Sequence, residues 1–281
     1  MMRDPHSTPN NTADGGQRHH SEHDAFDLFT DELIEAAAAK DGVIGLVLLG
    51  SASQTGARRR DEWSDHDFFL VAEPGRGMEA RRSLDWLPDP HRIVTTARDG
   101  SIGFTVLYDD GHVLEFALAE ATELEGVVAG DASVVIDDAA ATTSTLIARA
   151  QGLATKADRF DPSNDVRLAL VKILIGVGRL RRGEAINGGQ FIRTWVVNHF
   201  LRAIRGRFGD EATTARDTID PTRRFEMDYP VWAAQISAAL DQPAERAARD
   251  LFALIREILE PDWEDFPTAA ANTVAHRLGW N

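Results

Sequence analysis

Residues 43–72 read VIGLVLLGSASQTGARRRDEWSDHDFFLVA. The apolar run from Val43 to Leu49 has the length and composition of a buried strand. It stops at Gly50-Ser51, passes through a polar loop holding a second glycine, Gly56, and gives way at Ser64-Asp65-His66-Asp67 to another apolar strand, His66 to Ala72. Each part suits a task. Gly50 lets the backbone approach a ligand closely, and Ser51 offers a hydroxyl and an amide to a phosphate oxygen. Asp65 and Asp67, two apart on extended chain, project from one face, and like charges that close repel unless a cation lies between them. Singly, a Gly-Ser is a turn and an Asp-x-Asp a solvated cap. In the order strand, Gly-Ser, loop, Ser-Asp-x-Asp, strand, the two set a phosphate site beside a hard-cation site.

Working outward, the spacing predicts a helix from Phe26 to Lys40, a second from Met78 to Leu87, and further strands near Arg92 to Ala97, Ile102 to Tyr108 and Val113 to Leu118. Asp109-Asp110-Gly111 between the last two is a hairpin signal. Upstream, Met1 to Asp24 contains no Val, Ile, Leu, Phe, Tyr or Trp, so it reads as a disordered tail; the spacing of its His19, His20 and His23 could hold a metal in principle, but without an acidic or supporting partner such a run is usually incidental. After Ala139 the pattern turns helical, with one stripe at Leu168, Val171, Leu174 and Ile175 and another at Phe191, Trp195, Val196 and Phe200; Gly183 and Gly188-Gly189 read as turn or C-cap glycines. The expected organisation is a tail (1–24), a mixed-sheet α+β domain (25–138) and an all-α bundle (139–281). Charge divides similarly: residues 1–150 hold 12 basic and 27 acidic side chains, and 151–281 hold 18 of each.

With a net charge of −15 the chain is no general nucleic-acid binder, and without cysteine it has neither thiolate zinc sites nor thiol nucleophiles. No apolar run reaches membrane-spanning length and no secretory signal is visible, which makes the cytoplasm the expected compartment. A P-loop, a dinucleotide-binding glycine fingerprint and a His-Glu-x-x-His zinc motif are all missing.

The run Gly50-Ser51, loop, Ser64-Asp65-His66-Asp67 resembles the signature of the DNA polymerase beta-like nucleotidyltransferase superfamily, in which many members also carry the loop glycine found here as Gly56. The resemblance implies a polymerase beta palm-like catalytic domain followed by a helical, acceptor-shaping domain, a plan similar to that of aminoglycoside and lincosamide nucleotidyltransferases. It implies Gly50, Ser51 and Ser64 as contacts to a nucleoside triphosphate, and Asp65 and Asp67 as ligands of two magnesium ions. A third carboxylate is expected on a later strand, and Glu115, the one charged residue between His112 and Glu120, fits it as metal ligand, as general base, or as both; a core salt bridge to an arginine is the structural alternative. The implied reaction moves a nucleoside monophosphate, AMP being the expected one, from ATP or another triphosphate to a small-molecule hydroxyl. A protein acceptor, or a regulatory pairing of toxin–antitoxin type, is the alternative.

Between Lys156 and Arg207 there are 11 basic and 4 acidic residues, a local excess that suits a triphosphate. Lys172, set among apolar neighbours, is the candidate contact, with simple snorkelling as its structural reading. Arg58, Arg59 and Arg60 read either as reaching phosphates or, as is usual for such a loop run, as solvated, and Trp63 as an aromatic that either packs its edge or stacks on a base or acceptor.

Overall fold

A computed structural model describes residues 15–157, 160–209 and 220–280, with backbone alone for 15–24 and 157. The chain divides after Ala154 into two compact units.

The first unit is built on β1 (Val43–Leu49), β2 (His66–Ala72), β3 (Ile93–Asp99), β4 (Gly103–Tyr108), β5 (Val113–Glu120) and β6 (Ala132–Ile136), in the sheet order β3-β4-β5-β2-β1-β6. Only β2 and β5 run parallel; the other neighbours are antiparallel, so the sheet is mixed, as expected. Strand β6 was not anticipated. It pairs with β1 at the sheet edge, and its short Ser-Val-Val-Ile run carries little local signal. The β4–β5 turn is the expected hairpin, with Gly111 at φ 90° and its amide donating to the Tyr108 carbonyl.

Alternation along the strands sorts residues between two faces. Leu46, Leu48, Phe68, Leu70, Phe104, Val106, Leu114 and Phe116 face helix α1 (Gly15–Ala39), which packs on them with Phe26, Leu33 and Ala37. Helix α1 thus takes in residues 15–24, assigned by composition to the tail; residues 1–14 and the side chains of His19, His20 and His23 lie outside the described residues. The opposite face carries Val47, Val71 and Ala119 under Leu146, Ile147 and Ala150 of α3 (Thr142–Ala157). That packing places α3, which its helical spacing assigned to the bundle, with the sheet. Gly45 makes the crossing close, since a Cβ there would fall 1.9 Å from Thr143 Oγ1.

The helix predicted from Met78 to Leu87 shrinks to α2 (Gly77–Ala80). The Ser83 hydroxyl accepts from the Asp85 amide, and Pro88 bars continuation, so local turns win over the helical pattern.

The second unit is helical: α4 (Pro162–Arg181), α5 (Ala185–Gln190), a π-turn at Phe191–Val196 leading into α6 (Val197–Arg207), then α7 (Phe225–Asp228), α8 (Pro230–Leu240), α9 (Ala244–Leu259) and α10 (Thr268–Leu278). Asp161 caps α4 by accepting from the Asn164 amide, with Pro162 in the first turn. Its core joins Leu170, Ile173, Val196, Phe200, Leu251 and Ile255. Gly183 is the expected turn, at φ 85°. Gly188 is instead helical, and a Cβ there would meet Leu180 Cγ at 2.7 Å and the Gly176 carbonyl at 2.9 Å, so it serves close helix packing. Much of the basic excess is spent inside this unit. Arg181 pairs with Glu245, Arg202 with Asp165 and the fully buried Arg205 with Asp228.

Candidate functional site

The expected carboxylates meet at the end of the sheet where β1 stops and β2 begins. Parallel pairing of β2 with β5 sets Asp67 directly opposite Glu115, while Leu49 of β1 lies opposite Asp67 on the other side and Thr105 of β4 opposite Glu115. Asp65, just ahead of β2, projects alongside. One oxygen from each of Asp65, Asp67 and Glu115 can be chosen so that all lie within 4.8 Å of one another.

Glu115 is exposed. On β5 its neighbours Leu114 and Phe116 turn into the core, so alternation delivers Glu115 to the opposite face, where it stays exposed and carries no burial penalty that would demand a cation. Nor is it in a core salt bridge. Among the described residues no basic side chain pairs with the Asp65 or Glu115 carboxylate. Three hard oxygen donors grouped this closely suit a divalent cation such as magnesium.

The Gly50-Ser51 turn sits against this cluster. Gly50, at φ 50°, opens a single 3₁₀ turn (Gly50–Ala52), and a Cβ on it would stand 3.4 Å from Asp67 Oδ2. The bare backbone therefore runs alongside the carboxylate. The Gly50 amide donates to the Asp131 carbonyl (3.0 Å), and the Ser51 hydroxyl makes a long 3.4 Å contact to the Asp65 carbonyl. Gly56 has a steric reason to be glycine, because a Cβ would fall 1.8 Å from the Gly50 carbonyl oxygen. The Ser53 hydroxyl closes this loop, donating to Gly50 O (2.8 Å) and accepting from the Gly56 amide (3.0 Å).

Ser64 is engaged locally: its hydroxyl accepts from the Asp61 amide at 2.9 Å and contacts Asp61 Oδ1 at 3.3 Å. Lys172 lies on α4 of the second unit, its Nζ 5.3 Å from the Trp195 ring and 5.5 Å from that of Phe191, a cation–π seat. Of the arginine run, only Arg58 is exposed. Arg59 pairs with Asp131, and Arg60 with Asp27. Trp63 is 85% exposed, so it does not pack its edge.

Sequence reasoning missed what lies behind the aspartates. His66, between them, turns to the α1 face and is fully buried. It stacks on Phe26 at 3.7 Å, contacts Thr30 Oγ1 through Nε2 (2.8 Å) and His112 Nε2 through Nδ1 (2.8 Å). Burial, then His112 and Arg60, pushes the His66 imidazole down to about 2; burial likewise lowers His112, against Asp110 and Asp65. The period of two already implied that the residue between two outward aspartates points inward. Nothing local marked Arg60 or His112.

No family model matches the chain, and no curated protein matches it. Among solved structures it is similar to an aminoglycoside 6-adenyltransferase from Bacillus subtilis, at 12% identity over 92% of each chain with a TM-score of 0.30. It is also similar to a nucleotidyltransferase-like protein from Exiguobacterium sibiricum 255-15, at 11% identity over 91% of this chain and 79% of that one, with a TM-score of 0.32.

Proposed function

We propose that the protein is a metal-dependent nucleotidyltransferase that moves a nucleoside monophosphate, AMP as the leading case, from its triphosphate to a hydroxyl of a small molecule. The observation that carries this reading is the meeting of Asp65, Asp67 and Glu115 beside the Gly50-Ser51 turn. Asp65 and Asp67 would hold magnesium, which when bound supplies neutralisation of the triphosphate's charge and of the departing pyrophosphate.

The protein's own groups have separate tasks. The Ser51 hydroxyl exchanges its long contact to the Asp65 carbonyl for a phosphate oxygen, and the glycine at position 50 keeps that approach clear of side chain. Exposed Glu115 takes the proton of the acceptor hydroxyl. As the acceptor oxygen bonds to the α-phosphorus, the bond from that phosphorus to the bridging oxygen breaks, and pyrophosphate leaves with the electron pair. Aminoglycosides and lincosamides head the list of acceptors to try, and the acidic first unit favours a cationic one.

The test is pyrophosphate release from each of the four nucleoside triphosphates with magnesium and a panel of those antibiotics, with Asp65→Asn/Asp67→Asn as control. Acceptor-dependent release that vanishes in the control is the expected result. Release unchanged in the control would overturn the mechanism. Triphosphate binding without turnover on any small acceptor would favour a protein acceptor.

A further inference from the structure

Behind the carboxylates, side chains from α1, the arginine loop, β2 and the β4–β5 turn form one connected stack. The Phe26 ring is its centre: the His66 imidazole lies 3.7 Å from it and nearly parallel, and the Arg60 guanidinium carbon lies 4.2 Å from its centroid. Arg60 reaches the site directly, donating from Nε and one terminal nitrogen to the Ser51 carbonyl, both at 3.3 Å, while its other terminal nitrogen pairs with Asp27.

The hydrogen bonds below His66 have one consistent direction. The Thr30 hydroxyl has a single proton and donates it to the Phe26 carbonyl at 2.8 Å, so toward His66 it accepts. His66 Nε2 therefore carries a proton, its Nδ1 does not, and Nδ1 accepts from His112 Nε2–H at 2.8 Å. The chain runs from His112 through His66 and Thr30 to the α1 backbone, and it satisfies both His66 nitrogens. Because His66 is flanked by Asp65 and Asp67, fixing its ring fixes the backbone that carries both carboxylates.

We infer that α1 is a positioning element for the site: Thr30 and Phe26 lock His66 and thereby the two aspartates, while Arg60, seated on Phe26, locks the Ser51 turn to the same frame. This rests on the proposed reading of Asp65, Asp67 and Glu115 as a metal site. Outer partners that orient a metal-binding group alter affinity by about 10–100-fold when removed, and here the coupling passes through backbone, which places the expected effect at the lower end.

The full-length protein is titrated with Mn2+, followed by the paramagnetic resonance of the free ion, in wild type, Asp65→Asn/Asp67→Asn, Thr30→Val and Thr30→Ser. Thr30→Val removes the acceptor of His66 Nε2–H at nearly constant volume; Thr30→Ser keeps it. The expected result is a Mn2+ affinity about 10-fold weaker in Thr30→Val and restored in Thr30→Ser, with α-helical circular dichroism unchanged in both. Arg60→Gln, which leaves Asp27, Phe26 and the Ser51 carbonyl without the guanidinium, is expected to raise the triphosphate KM about 10-fold with a smaller change in kcat, and it serves alone if Thr30→Val does not fold. Wild-type affinity in Thr30→Val together with unchanged KM in Arg60→Gln overturns the positioning role and leaves the metal reading intact. Wild type binding Mn2+ no better than Asp65→Asn/Asp67→Asn overturns the metal reading itself, and the positioning role with it.

Discussion

At the scale of residues, two glycines of the site carry different constraints. Gly50 needs its backbone conformation, which costs an L-residue about 1–2 kcal/mol, but a methyl there meets only the Asp67 carboxylate at contact distance. Gly56 has an ordinary φ of −89° but no room, since its Cβ would collide with the Gly50 carbonyl. Gly56→Ala is therefore expected to destabilise by about 3 kcal/mol and Gly50→Ala by about 1 kcal/mol, while both lower turnover; urea unfolding of the two variants checks the order. Exposed Glu115 leads to a different outcome. Glu115→Gln should leave the metal-free stability within about 0.5 kcal/mol of wild type, because no partner is lost and repulsion within the cluster falls. Magnesium at a hundred times its dissociation constant should stabilise wild type by about 2.7 kcal/mol and leave Asp65→Asn/Asp67→Asn unmoved, as read by thermal unfolding.

Among elements, the 3₁₀ turn after β5 (Ala121–Leu124) ties the sheet to α2. Glu120 accepts from the Gly75 and Gly77 amides, and Glu123 caps the turn while taking both terminal nitrogens of Arg81 at 2.7 and 3.0 Å. The Arg81 guanidinium holds the Glu123 carboxyl below its ordinary 4.5. A carboxyl depressed in the folded state contributes stability that is present above pH 4.5 and lost as pH falls through the folded value. Arg81→Met should thus cost about 0.5 kcal/mol at neutral pH and flatten the loss of stability below pH 4.5, measured by urea unfolding across that range. Local pattern was a good guide to β1, β2 and the hairpin, where alternation and turn chemistry are decided within a few residues. It failed for α2, where a serine side chain competes with the helix, and for Gly188, where packing against Leu180 sets the requirement.

On the scale of the whole molecule, the two units are held by different means. The sheet unit carries the excess of acid, and the helical unit, with 18 basic and 18 acidic residues after position 150, uses its charge for internal ties. The central one is Arg205, which donates to Asp228 at 2.7 Å and to the Pro221 and Arg223 carbonyls, with the Phe225 ring beside it. Breaking a buried pair leaves a charge uncompensated, so Asp228→Asn is expected to destabilise the helical unit by about 3 kcal/mol while Mn2+ affinity stays within about twofold of wild type; chemical unfolding and metal titration of the one variant test both halves. Among the described residues no helix is long and apolar enough to cross a membrane.

By itself the sequence determined the two strands that bracket Gly50-Ser51 and Ser64-Asp65-His66-Asp67, the hairpin turn at Gly111 and the helical character of the second unit, because these follow from alternation, turn propensity and helical spacing over short windows. Tertiary structure alone decided that β2 would pair in parallel with β5, that Asp67 would stand opposite Glu115, that α3 would cover the sheet at Gly45 and that Arg60 and His112 would back the site. Strand partners and register are settled by matching apolar faces across the whole sheet, and residues 45 positions apart in the chain, such as Gly75 and Glu120, meet only once that match is made.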